Sequence, residues 1–145
     1  MFRIIPLFVT ILTACLIFPT SQDEVSRVSS SSGRVDAVLV ETNGGATTSF
    51  GYLVYFVPRG QKAPHRGEVA WLYAAARNDH AFGANLKWTG PTQLTVVYRD
   101  AQEAEVRKPT VVVGSDTVVV TLLSGVTDSA APAGGMLYNL EKGHR

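Results

Sequence analysis

Two kinds of apolar pattern run along this chain. From Ile4 through Ala14 the apolar residues form one block broken only by Pro6, Thr10 and Thr13, and it continues through Leu16-Ile17-Phe18. After Gly33 they fall instead into short runs separated by clusters of Gly, Pro, Asn and Ser, the pattern of strands joined by turns. Residues 35–42 and 50–57 are apolar on both faces, as central strands are. Between them lies Asn43-Gly44-Gly45-Ala46-Thr47-Thr48, rich in residues that tolerate positive φ, which predicts a hairpin. Residues 93–99 alternate, with Leu94, Val96 and Tyr98 on one face, after a Trp88-Thr89-Gly90-Pro91 turn. Residues 110–113 and 117–123 flank Gly114-Ser115-Asp116 and predict a second hairpin, and residues 86–88 a short strand. Residues 68–77 have alanines enough for a helix and aromatic alternation enough for a strand; the strand reading is preferred. Asp100-Ala101-Gln102-Glu103 has the spacing of a helix N-cap, with Pro109 to stop such a turn, or is an irregular edge.

Six or seven short strands in sequential order predict a mainly β fold, a small antiparallel meander folded as a sandwich or open barrel. Composition agrees. After the apolar block the chain has 18 Val and 11 Thr but no Ile, and β-branched residues at that density favour pleated, half-buried strands. Residues 19–33 are serine-rich with little to bury and read as a flexible tether. Residues 127–135, built around Ala-Ala-Pro-Ala-Gly-Gly, read as a linker to a short tail over 136–145. The predicted organisation is therefore 1–14, a signal peptide; 15–33, a lipidated N-terminus and tether; 34–126, the β domain; and 127–145, linker and tail.

Of the first 18 residues, 14 are hydrophobic. Residues 4–18 are too few to span a bilayer, which takes about 20 apolar residues at helical rise, so with Arg3 in front they read as an export signal. Leu12-Thr13-Ala14-Cys15 resembles the lipobox of bacterial lipoproteins, in which a branched aliphatic and two small residues precede the Cys that is lipidated and becomes the first residue. The resemblance implies cleavage before Cys15, lipid on its sulfur, and acylation of its amine. Several acyl chains anchor stably where one is marginal. In a host with two membranes, Leu16 rather than aspartate after the Cys looks like the pattern of lipoproteins sent to the outer membrane, facing the periplasm. The alternative is ordinary cleavage near Pro19-Thr20-Ser21.

Charge narrows the partners. The whole chain carries 13 Lys/Arg against 12 Asp/Glu, and loss of Arg3 with the leader leaves the mature protein formally neutral. Nucleic-acid binding, which rests on clustered Lys/Arg that neutralise phosphates, is not expected. Arg59, Lys62, His65 and Arg66 form the nearest basic cluster and read as a solvated loop. The membrane, through Cys15, and an envelope protein are the expected partners.

Candidate chemistry is sparse. One Cys allows no internal disulfide, and His65, His80 and His144 lack partners at ligand spacing, so no metal or other cofactor is expected. No Gly-x-Ser-x-Gly is present. Asp36, between Val35 and Ala37, is expected to pair with an Arg such as Arg34 or Arg99. The best binding candidate is the loop Gly44, Gly45, Thr47, Thr48 and Ser49, whose amides and hydroxyls could hold an anion or a partner's backbone, or could simply satisfy their own turn. A small carboxylate-dependent hydrolase or carbohydrate-active enzyme would need Asp36, Glu41, Asp79, His80 and Asp116 to converge.

Ser32-Gly33-Arg34 leading into Asp36-Ala37-Val38-Leu39-Val40, and Leu86-Lys87-Trp88-Thr89, resemble the Ser-Pro-Asp-Gly-Lys and Leu-x-Trp-Ser turns of TolB-like propeller blades, with Ser31-Ser32 where that pattern has Pro-Asp. A closed propeller needs at least four blades of about 40 residues, so the likeness implies shared turn chemistry on a small sheet. Residues 33–58, centred on Gly44-Gly45-Ala46-Thr47-Thr48-Ser49-Phe50-Gly51-Tyr52, resemble a group of small bacterial lipoproteins with a leader and a domain of this kind. That resemblance implies no activity. The expected function is an envelope-anchored, non-enzymatic binding or interaction module.

Overall fold

The Val- and Thr-rich runs all form strands. The structure, a computed structural model, describes residues 20–132 and 134; the leader, Cys15 and the tail over 136–145, with His144, lie outside the described residues. Nine strands follow one another without a helix among the described residues: β1 (Ser21–Ser29), β2 (Val35–Asn43), β3 (Phe50–Pro58), β4 (Ala70–Tyr73), β5 (Asn85–Gly90), β6 (Gln93–Val97), β7 (Glu103–Val106), β8 (Thr110–Val113) and β9 (Asp116–Leu123). They form two sheets, ordered β1-β2-β3-β4-β7 and β5-β6-β9-β8. The protein is mainly β, an open two-sheet arrangement that does not close into a barrel.

The order departs from a sequential meander because the chain changes sheets. After β6 it crosses to pair β7 with β4, returns as β8, and then inserts β9 between β8 and β6. The β6–β9 pair is parallel, with Gln93 opposite Val119 and Val97 opposite Leu123; a parallel pair needs such a crossover, whereas antiparallel neighbours can be joined by a tight turn. Residues 68–77 contribute strand β4, as preferred. Residues 100–102 form no helix and lead into β7, a short edge strand.

The tether prediction is corrected at Ser21. Instead of a free linker over 19–33, residues 21–29 form a full edge strand that pairs along β2 from Ser21 opposite Asn43 to Ser29 opposite Asp36. Such a strand needs few apolar side chains, because its neighbour supplies the ladder hydrogen bonds and its other edge faces solvent. Its one fully buried apolar side chain, Val25, sits at a bulge between Glu24 and Ser26 and reaches the core. Residues 127–132 are likewise no free linker. Asp128 and Ala131 are hydrogen-bonded onto the domain, and Ala131 is buried.

The core lies between the sheets. Ala37, Leu39, Tyr52, Val54, Ala70 and Leu72 of the first sheet meet Leu86, Leu94, Val96 and Val120 of the second. Phe56 and Trp88 close the gap with rings 5.9 Å apart, and the Trp88 Nε1–H donates to the Val28 carbonyl at 3.0 Å. A second cluster, Val38, Val40, Tyr55 and Val57, lies on the outer face of β2 and β3, with Ala63 of the following loop packed against it. That cover is why both strands are apolar on both faces.

The strand directions place the turns at two ends. At one end lie the start of β1, the β2–β3 loop, residues 74–84 and the segment after β9; at the other lie residues 30–34 and the turns after β5 and β8.

Candidate functional site

The β2–β3 loop closes on itself. Gly45 has φ +109°, a conformation that disfavours any side chain, and its amide donates to Asn43 Oδ1 at 2.8 Å. The Thr48 amide and hydroxyl both donate to the Gly45 carbonyl, each at 3.1 Å. The Ser49 amide donates to the Tyr73 hydroxyl at 2.8 Å. The amides of Gly45, Thr48 and Ser49 are thus held by the turn and its neighbour instead of converging on a concavity. Gly44, Gly45, Thr47 and Thr48 are exposed at the tip, and Ser49 is half-buried.

The five residues that a hydrolase would bring together are divided among different places. Asp36 and Glu41 share β2 but are five residues apart, so strand alternation sends them to opposite faces. Asp36 lies on the outer face, where it accepts from Ser29 Oγ at 2.6 Å, Arg27 Nη1 at 2.9 Å and the Gly60 amide at 2.9 Å. Its partner is therefore Arg27, not the expected Arg34 or Arg99. Arg27 stands on β1 beside it, while Arg34 reaches across to Asp116 at 2.6 Å and Arg99 pairs with Asp79. Burial pushes the Asp36 carboxyl up, but the three donors outweigh burial and hold its pKa below the ordinary aspartate value. The Asp116 carboxyl is likewise held down, first by its hydrogen bond from Arg34. His80 is exposed, its amide donating to Asn78 Oδ1 at 2.9 Å in a turn.

Two polar clusters escaped the sequence reading. In the first, Arg27 bridges β1 and β2: Nε and Nη2 grip Glu24 at 2.8 and 2.9 Å while Nη1 reaches Asp36 and, at 3.0 Å, the Gln61 carbonyl. The Gly60 and Gln61 contacts tie the loop after β3 to the outer face. The apparent tether hid the key residue, and the only available signal was the lone charge of Asp36 in an apolar strand. In the second cluster, the fully buried Tyr52 hydroxyl donates to the fully buried Glu41 at 2.7 Å. Burial and then the Glu41 charge push the Tyr52 phenol well above its usual value.

The segment after β9 lies beside this second cluster. Arg77 Nη1 donates to the Ala131 carbonyl at 2.6 Å, and Asp128 meets Lys87 at 2.5 Å and Asn85 at 3.0 Å. Those two donors bring the Asp128 carboxyl down to about 2. A Cβ on Gly134 would stand only 2.6 Å from Tyr52 Oη, 2.9 Å from the Phe82 carbonyl and 3.0 Å from Glu41 Oε2, so this backbone approach admits glycine alone.

A pocket of about 90 Å³ opens on the outer face, lined by Gln22, Glu24, Val40, Ala63, Pro64 and His65. It is small beside the roughly 300–1,000 Å³ of drug-sized ligand sites. Among the described residues no group of three or more His, Cys, Asp or Glu is placed to hold a metal ion. Comparison with protein-family models, curated proteins and solved structures finds no match.

Proposed function

We propose that this chain is an envelope-anchored lipoprotein whose β domain is a non-enzymatic binding module. The observation that carries the anchor is the run Leu12-Thr13-Ala14-Cys15 behind a short apolar leader. The binding-module half is supported by the separation of Asp36, Glu41, Asp79 and Asp116 and by their engagement with Arg27, Tyr52, Arg99 and Arg34. Carboxylate-dependent hydrolysis wants two such groups flanking one scissile bond, and these face different neighbours. Leu16 after Cys15 favours the outer membrane in a host that has two.

Replacing Cys15 tests the anchor. The native protein is expected in the membrane fraction with the added mass of its acyl chains, and Cys15→Ala in the soluble fraction without it. A variant that stays in the membrane with unchanged mass overturns the reading.

A further inference from the structure

The folded domain begins close behind the lipidation site. Strand β1 starts at Ser21, leaving only Leu16, Ile17, Phe18, Pro19 and Thr20 after Cys15. Six Cα steps reach at most about 20 Å when fully extended, whereas a nine-residue strand such as β2 is about 30 Å long. Leu16-Ile17-Phe18 prefer the bilayer interface to water, which shortens the leash further. The start of β1 is therefore held near the lipid surface.

What stands beside that start is set by the sheet register. Ser21 lies opposite Asn43, which runs into the exposed loop tip, and no Asp, Glu, Lys or Arg occurs between Glu41 and Arg59. Phe82 packs edge-on against Phe50 at the head of β3, ring centroids 5.2 Å apart, and is 37% exposed. Of the acids at this end, Asp79 and Asp100 lie beside Arg99 and Asp128 beside Lys87, which tempers their repulsion of anionic lipid, while Glu103, opposite Tyr73 at the start of β7, is exposed. The Arg34–Asp116 pair and Ser115 belong to the opposite end.

Resting on the lipid-anchor reading above, we propose that this end of the sandwich docks on the bilayer, with the 44–49 loop tip and Phe82 against lipid headgroups. The opposite end, with Arg34 and Ser115, then points away from the membrane. The 44–49 loop then forms a membrane-facing rim instead of a ligand site.

The test uses the full lipidated protein in vesicles of phosphatidylethanolamine and phosphatidylglycerol that contain a headgroup spin-labelled lipid. Lipidation blocks the Cys15 sulfur, so Thr47→Cys and Ser115→Cys, both at exposed turn positions, each provide one thiol for a fluorophore. The label at position 47 is expected to lose most of its fluorescence and the label at 115 to keep it. Equal quenching, or stronger quenching at 115, in protein that floats with the vesicles overturns the orientation and leaves the anchor standing. Protein that does not float with the vesicles overturns the anchor and the orientation with it.

Discussion

Arg27 and Asp36 show how much one side chain can decide here. The guanidinium is held between Glu24 and Asp36, and both carboxylates are buried. Its own pKa is raised, chiefly by the hydrogen bonds to Glu24. Hydrogen bonds to charged groups contribute about 1.5–3 kcal/mol, and Asp36→Asn is expected to cost about that much, read as a lower urea midpoint at neutral pH. The pH dependence has a definite sign. Asp36 has a depressed folded pKa, so its contribution is present above the unfolded value of about 3.9 and is lost as pH falls through the lower folded value. The acid limb of a stability curve below about pH 4 should therefore be shallower in Asp36→Asn than in the native protein. Arg34→Ala should move the midpoint far less, because Arg34 is mostly exposed and solvent screens its pair with Asp116. Leu72, wholly buried between the sheets, should cost about 2–5 kcal/mol as Ala, the usual range for a cavity of that size.

At the scale of elements, the strands legible in the sequence are those whose side chains enter the core. Strands β2, β3 and β9 show in the sequence as Val-rich apolar runs bounded by turn residues, and β6 as an alternation of apolar and polar positions. Strand β7, Glu-Ala-Glu-Val, is almost wholly exposed, and β1 is serine-rich with three charges. Both are sheet edges, and their stability comes from the neighbour's amides and carbonyls, which no local window contains. This makes a truncation informative. A chain beginning at Thr20 should fold, whereas one beginning at Arg34 exposes the β2 edge and the core under Val25, and should show a collapsed urea midpoint or no cooperative transition. The segment after β9 offers a second test. Gly134→Ala should force its backbone away from Tyr52 and Phe82. The Asp128 and Ala131 amides, which donate to Arg77 and Asp128 carbonyls, should then exchange about tenfold faster, equivalent to about 1.4 kcal/mol of local opening.

For the whole molecule, topology sets the folding behaviour. The parallel β6–β9 pair joins Gln93 to Val119 only after the chain has visited the other sheet through β7 and back through β8. Loop closure on that scale must precede the contacts that stabilise it, so refolding followed by stopped-flow fluorescence of Trp71 and Trp88 is expected in the millisecond-to-second range of β sandwiches rather than in microseconds. The same topology gathers the start of β1, the 44–49 loop and Phe82 at one end, the end that the proposed lipid anchor on Cys15 would hold against a membrane.

Local sequence was enough for the strand-forming runs and the two hairpins, because burial period and turn chemistry are properties of neighbouring residues. Tertiary structure alone decided that Arg27 meets Asp36, that Glu41 is buried against Tyr52, and that serine-rich and glycine-rich segments belong to the domain. Each of these depends on which strand lies beside which and in what register. An edge strand or a strap is held by hydrogen bonds from a partner distant in the chain, so its own side chains need not show it.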